Sequence, residues 1–225
     1  KFDAELEGIR TRVLQMGGMV ELQIVKAMEG LSDGDLLLID QVIENDNRVN
    51  HLEIELDEAC NQVIAKRQPT AVDLRMISTV QKTITDLERI GDEAKKIAKT
   101  AKQLHTTGSN FTPQIRLAHI ATAVVDMLRT SLDAYARLDT ISAAQVVRQD
   151  KEVDAEFKGI MRQLITYMME DPRTISQSIE LMFVAKSVER IGDHAKNIAE
   201  YVVYMVKGRD VRHTSLEEIE REATR

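Results

Sequence analysis

The stretch that decides the fold reads Glu88-Arg89-Ile90-Gly91-Asp92, and it returns 101 positions later as Glu189-Arg190-Ile191-Gly192-Asp193. Each copy places two carboxylates four residues apart, and on a helix this spacing puts both acids on one face. Like charges at this spacing repel by about 0.2–0.5 kcal/mol unless a cation lies between them. The repeat therefore indicates two related helices that carry the same acidic face.

Each copy lies in a segment whose apolar residues recur at alternating steps of three and four. The first series is Val80, Thr83, Leu87, Ile90, Ala94, Ile97, Ala101 and Leu104, and the second is Leu181, Val184, Val188, Ile191, Ala195, Ile198, Val202 and Met205. Heptad seams of this kind predict antiparallel helices packed at about 20°. A single-chain coiled coil is the alternative, but the short turns favour helices that fold back on their neighbours.

The remainder of the chain repeats as well, because Asp46 and Val49 correspond to Asp150 and Val153 at an offset of 104. Six long helical segments are separated by breaks or marked starts at Gly30–Asp35, Pro69-Thr70, Gly108-Ser109-Asn110, Thr112-Pro113, Leu138-Asp139-Thr140 and Asp171-Pro172. We therefore predict an all-α fold of two tandem three-helix bundles, residues 1–108 and 109–208. A charged tail, 209–225, follows, and disorder is expected there if anywhere.

The amino-acid composition argues against several classes of function. The net charge of −7 and an aromatic content of 4% argue against a nucleic-acid-binding domain, which usually has a basic face and stacking platforms. The single cysteine, Cys60, cannot form an internal disulfide and fits a reducing compartment. No apolar run approaches the roughly 20 residues of a membrane span, and no signal-peptide pattern precedes Phe2. We expect a cytoplasmic protein without direct membrane insertion.

The repeated acids lie outside the apolar seams, whereas Ile90 and Ile191 lie within them. The seam of the second helix passes beside Asp46 and Asn50, and that of the fifth passes beside Asp150 and Asp154 in the same manner. If neighbouring helices are antiparallel, oxygen-bearing side chains converge in each bundle. The first acidic cluster comprises Asp46, Asn50, Glu88 and Asp92, and the second acidic cluster comprises Asp150, Asp154, Glu189 and Asp193.

Carboxylates without cysteine and with little histidine are typical ligands of Mg, Mn, Ca or iron. Gly91 and Gly192 support a site, because glycine costs about 1 kcal/mol in a helix interior and leaves room for an ion or water. Close helix packing explains the glycines equally well. The acids also fit a solvated face paired with basic neighbours, which are Lys95, Lys196, Arg89 and Arg190.

With these motifs, the chain resembles the PhoU family over essentially its whole length. The resemblance rests on Leu87–Asp92, Val188–Ala195, Asp150-x-x-x-Asp154 and Arg12–Gly18. It implies two similar three-helix bundles and a cytoplasmic, non-enzymatic negative regulator of the phosphate-starvation response and of phosphate uptake. Implied partners are the ATPase subunit of the phosphate ABC transporter, a sensor histidine kinase and a second copy in a homodimer. It also implies metal ions at the acidic motifs, with Fe or Zn clusters in some members and Mn or Mg in others.

One position departs from the pattern, because Asn50 occupies the place that Asp154 has in the second half. An amide oxygen can ligate a hard cation but adds no charge, so the second cluster should bind metal more tightly.

Two alternative functions remain. A ferritin-like di-metal enzyme needs Glu-x-x-His pairs, and none of the five histidines has glutamate three residues before it. A metal-free helical scaffold would leave the acids as surface charge. His194 is expected at the surface or at a partner contact, and Cys60 is expected to be a buried structural thiol.

Overall fold

The computed structural model describes residues 1–108, 111–113 and 115–225. The described residues form helices and no strands, which confirms the all-α prediction. The helices are α1 (Phe2–Asp33), α2 (Leu36–Arg67), α3 (Ala71–Thr106), α4 (Leu117–Arg137), α5 (Thr140–Glu170), α6 (Ile175–Lys207) and α7 (Leu216–Thr224). One 3-10 turn, Pro172–Thr174, precedes α6. Ser109 and Asn110, predicted to lie in the break after α3, fall outside the described residues.

The predicted seams of α3 and α6 form the centre of the core. Ile90 and Ile191 are fully buried, and every other seam residue is buried except Leu104, which is half-buried. Burying one apolar stripe of a long helix supplies most of the stabilisation that keeps such a helix folded. The heptad pattern thus decides which face of each helix points inward.

Short turns fold successive helices back on each other. Between α1 and α2, Gly34 has φ +70° and the Asp35 carboxylate accepts the Leu38 N–H at 3.1 Å. Between α4 and α5, Leu138 has φ +57°, and the Asp139 carboxylate accepts the N–H groups of Ile141 and Ser142. These carboxylates satisfy amide donors that the first turn of a helix leaves unpaired.

The helices form two layers. In the front layer they lie in the order α2, α3, α6 and α5, with α3 and α6 in contact at the centre. Behind them, α1 packs on α2 and α3, α4 packs on α5 and α6, and α1 also contacts α4. Because α3 and α6 carry the repeated acids, both acidic clusters lie beside the central helix pair.

Two expectations about helix ends are wrong. The fourth helix begins at Leu117 rather than at Pro113, because Phe111 and Ile115 of the preceding segment pack against the core in a non-helical path. The charged tail is also ordered, since α7 buries Leu216, Ile219 and Ala223. The Thr140 hydroxyl donates to the Ala223 carbonyl at 2.8 Å, which ties this helix to the start of α5.

Candidate metal centre

Three carboxylates of the second acidic cluster meet where α5 packs against α6. Asp150 and Asp154 lie one helical turn apart on α5, and Asp193 faces them from α6. Each offers an oxygen atom, and these three atoms lie within 4.8 Å of one another. Glu189 lies one turn before Asp193 and pairs with the Lys186 amino group at 2.8 Å. The structure therefore brings all four predicted residues of this cluster to one groove.

Burial and mutual repulsion disfavour full ionisation of the carboxyl groups in the second acidic cluster. Burial, then the charge of Asp154, raises the pKa of Asp150 to about 6. Burial, then the charges of Glu189 and Asp150, raises the pKa of Asp193 to about 7. The pKa of Asp154 is raised by burial and by Glu189. A bound cation would remove this penalty by favouring the ionised carboxylates.

The residues of the second cluster fit a hard metal ion. Asp150 is almost fully buried, and its Oδ1 atom makes no hydrogen bond, so one carboxylate oxygen is left for a ligand. A Cβ atom at Gly192 would lie 3.7 Å from that oxygen and 3.4 Å from Val124 Cγ2. Glycine thus keeps the groove open beside the buried oxygen, and the donors are of the type that divalent cations and iron prefer.

The first acidic cluster occupies the equivalent positions on α2 and α3, but its charged groups are paired differently. The Asn50 amide donates to Asp46 Oδ2 at 3.4 Å, and the Lys95 amino group lies 3.5 Å from the same oxygen. Asp46 Oδ1 and Asn50 Oδ1 are buried without a hydrogen bond. Burial, then the charges of Asp92 and Asp46, raises the pKa of Glu88. Among the described residues, Asp150, Asp154 and Asp193 are the one group of three His, Cys, Asp or Glu side chains whose ligand atoms lie this close together.

Close packing accounts for Gly91 as well as an open groove does. A Cβ atom at Gly91 would lie 3.3 Å from Val49 Cγ1 and 3.4 Å from Asp46 Oδ1. The absence of a side chain at Gly91 therefore lets α2 approach α3 closely and also leaves space beside the buried Asp46 carboxylate.

Basic neighbours neutralise the acids only in part. Lys196 lies 3.9 Å from Asp150 and 3.8 Å from Glu200, distances too long for a good hydrogen bond. Arg190 approaches Glu93 of α3 at 3.6 Å and not the second acidic cluster. Lys95 and Lys196 thus form only loose ion pairs with the buried Asp46 and Asp150, whereas Lys186 pairs closely with Glu189.

A buried polar network between α3 and α6 was missed from the sequence. Asp86 is buried and accepts hydrogen bonds from His194 at 2.7 Å, Asn197 at 3.1 Å and the Tyr201 hydroxyl at 2.7 Å. His194, expected at the surface or at a partner contact, is partly buried instead, because its side chain is 18% exposed and joins the two central helices. The spacing of His194, Asn197 and Tyr201 could have indicated this network, because it places the three donors in a polar stripe on α6 beside the apolar seam.

Taken together, the fold and the two clusters define a class: a duplicated all-α protein that presents one acidic groove per three-helix repeat. The PhoU domain model matches the chain twice, at residues 13–101 and 117–202. The chain belongs to the PhoU family.

Relatives and solved structures agree with this assignment. The chain is 47% identical to the "Phosphate-specific transport system accessory protein PhoU homolog" of Pseudomonas aeruginosa, over 99% of this chain and 92% of that protein. It is 48% identical to the accessory protein PhoU of Escherichia coli, over 98% of this chain and 91% of that protein.

The crystal structure of PhoU from Pseudomonas aeruginosa matches with a TM-score of 0.90 at 47% identity, covering 93% of this chain and 100% of that one. The phosphate transport system regulatory protein PhoU from Streptococcus pneumoniae matches with a TM-score of 0.87 at 26% identity, covering 94% and 99%. Among the described helices, none combines the length and the hydropathy that a membrane span requires.

Proposed function

We propose that this protein is a cytoplasmic negative regulator of the phosphate-starvation response and of phosphate uptake. It would link the ATPase subunit of the phosphate ABC transporter to a sensor histidine kinase, and would act as a homodimer without catalysing a reaction. Family membership supports this proposal, because the relatives are named accessory proteins of the phosphate-specific transport system.

The metal-binding part of the proposal rests on one observation. Three carboxylate oxygens from α5 and α6 lie within 4.8 Å of one another, and the buried Asp150 carboxylate has an oxygen without a hydrogen bond. Asp150, Asp154, Glu189 and Asp193 would hold Fe, Mn, Mg or Zn in the second bundle. Asp46, Asn50, Glu88 and Asp92 would hold a second ion. Such an ion supplies positive charge that ties neighbouring helices together.

One observation favours the metal-free scaffold as a second candidate. Lys95 and Lys196 already lie 3.5 and 3.9 Å from the buried carboxylates Asp46 and Asp150. These lysines can balance part of the negative charge, and the bundles would then serve partner binding alone.

Elemental analysis of the purified protein, combined with a reporter of the phosphate-starvation response, tests both parts. We expect bound metal in the native protein, less metal in Asp193→Ala, and reporter repression in phosphate-rich medium only when the protein is present. Absence of metal in every sample would leave the scaffold role alone. An unrepressed reporter in cells that contain the folded protein would refute the regulatory role independently of the metal.

A further inference from the structure

Buried negative charge is balanced differently beside the two acidic clusters. In the second bundle Asp150 and Glu200 are only 4% and 5% exposed. Lys196 lies between them, with its amino group 3.9 Å from Asp150 Oδ2 and 3.8 Å from Glu200 Oε1. Among the described residues, no further Lys, Arg or His nitrogen lies within 4.0 Å of these two carboxylates. One ammonium group therefore serves two buried carboxylates.

The first bundle has one ammonium group for one buried carboxylate. Lys95, the counterpart of Lys196, lies 3.5 Å from Oδ2 of the buried Asp46. The counterpart of Glu200 is Lys99, which is exposed and has no acceptor atom in its side chain. Lys95 therefore has no second carboxylate one turn further along α3. Its charge stays beside Asp46, where it repels other cations.

The position of Lys196 allows its charge to move from one carboxylate to the other. Lys196 and Glu200 are four residues apart on α6, so their side chains meet on one face of the helix. Lysine has a flexible four-carbon stem, and the Lys196 side chain is 36% exposed. Rotation of this side chain can bring the ammonium group closer to Glu200 and away from Asp150 while the helices stay in place.

We infer that Glu200 takes the ammonium group of Lys196 when a divalent cation occupies the second acidic cluster, an inference that rests on the proposed metal function. The ammonium group would otherwise lie beside the same Asp150 carboxylate as the cation, where like charges repel. The move also gives the buried Glu200 carboxylate a counter-charge of its own. Glu200 is thus a positioning residue that acts through Lys196 and favours cation binding in the second bundle over the first.

A double-mutant cycle with Mn²⁺ tests the role of Glu200. Calorimetric titration without oxygen uses Asp92→Ala protein, in which the first cluster is weakened, so that the second cluster is measured. The pH is 8, because burial raises the pKa of Glu200 to about 7 and the carboxylate must be ionised. We expect Glu200→Gln to weaken Mn²⁺ binding about tenfold. When Lys196→Gln is already present, adding Glu200→Gln should change the affinity less than about twofold, because no ammonium group is left to position.

The first bundle provides the matched gain of affinity. Lys99→Glu places a carboxylate at the position equivalent to Glu200, so in Asp193→Ala protein we expect the first cluster to bind Mn²⁺ about fivefold more tightly. With Lys95→Gln present, this gain should fall below about twofold. The NMR signals of the Lys196 side chain give a readout that does not depend on affinity. Diamagnetic Mg²⁺ should shift these signals in the native protein and shift them less in Glu200→Gln.

Three results would overturn the role of Glu200 while leaving the metal site in place. They are an equal loss from Glu200→Gln with and without Lys196, an equal gain from Lys99→Glu with and without Lys95, and Lys196 signals that Mg²⁺ does not shift. The first two would mean that the acids act through long-range charge alone. Absence of Mn²⁺ binding in the folded native protein would instead refute the proposed metal function, and this inference with it.

Discussion

The two acidic clusters occupy equivalent places in the two repeats, but only the second brings three carboxylates close together. In the first, Asn50 replaces one carboxylate and donates to Asp46, and Lys95 lies close to the same oxygen. In the second, Asp154 adds negative charge instead, and burial raises the pKa of Asp193 to about 7. A single substitution thus changes the charge of a site without changing the helices that hold it.

The contact between the repeats differs in the same way. Asp86 on α3 binds three donors on α6, whereas the equivalent residue on α6 is Ser187. The counterpart of His194 is Glu93, which pairs with Lys96 at 3.2 Å and leaves Oε2 without a hydrogen bond. The duplicated halves therefore share an apolar seam and diverge in the polar groups beside it.

The largest expected effect concerns this central contact. Asp86→Ala leaves three donors on α6 without their acceptor, which we expect to lower the free energy of unfolding by about 3 kcal/mol. The equivalent change Ser187→Ala should cost less than about 1 kcal/mol. Urea unfolding followed by circular dichroism measures both values. Similar losses for the two variants would show that the Asp86 network does not distinguish the halves.

The second-largest expected effect is a difference in metal affinity between the two acidic clusters. We expect Asp193→Ala to lower the affinity of the tighter site for Mn²⁺ by about 100-fold, because it removes one of three converging carboxylates. Asp92→Ala should affect only the weaker site, by about tenfold. Calorimetric titration with both variants measures this difference. Equal losses would contradict the ranking of the second cluster above the first.

Restoring the missing carboxylate should make the clusters more alike. Asn50→Asp adds a charged ligand beside Asp46, so we expect the first cluster to bind Mn²⁺ about tenfold more tightly. Asn47→Asp adds the same charge at an exposed position of α2 and serves as the matched control. If both substitutions raise affinity equally, the gain reflects overall charge and not the geometry of the first cluster.

The smallest effect concerns pH. In the metal-free protein the pKa values of Asp150 and Asp193 are raised to about 6 and 7, whereas an unfolded aspartate titrates near about 3.9. Between these values the folded state binds more protons, so the contribution of these groups to stability falls as pH rises. Asp193→Asn removes one such group and should raise the melting temperature by about 3 °C at pH 8 but not at pH 4.

The control for this pH effect is Asp92→Asn, since the Asp92 side chain is 47% exposed and pairs with Lys96 at 3.3 Å. It should shift the melting temperature less at either pH. A rise at pH 4 as large as that at pH 8 would mean that Asp193→Asn stabilises by packing and not by titration.

The sequence predicts the helices and the two grooves because both depend on regular spacing. The seams through Ile90 and Ile191 are buried as expected, and Asp150, Asp154 and Asp193 beside the second seam converge where α5 packs on α6. Helix ends were harder to place. The start of α4 depends on how Phe111 and Ile115 pack, and α7 owes its order to apolar residues that periodicity in a nine-residue helix barely reveals.

Contacts between the repeats were the least predictable from the sequence. Spacing within α6 puts His194, Asn197 and Tyr201 near one face, but nothing local shows that Asp86 lies across from them. Such contacts follow from how α3 crosses α6. A single sequence does not specify this crossing.

The Asp86 network can form only late in the synthesis of the chain. Its partners His194 and Tyr201 lie 108 and 115 residues further along the chain. At about 5–20 residues per second, the ribosome needs roughly 5 to 23 seconds to add them. For most of that interval α3 is complete while its central face still lacks α6. The nascent chain thus passes through a period in which α3 is open to chaperones and to other chains.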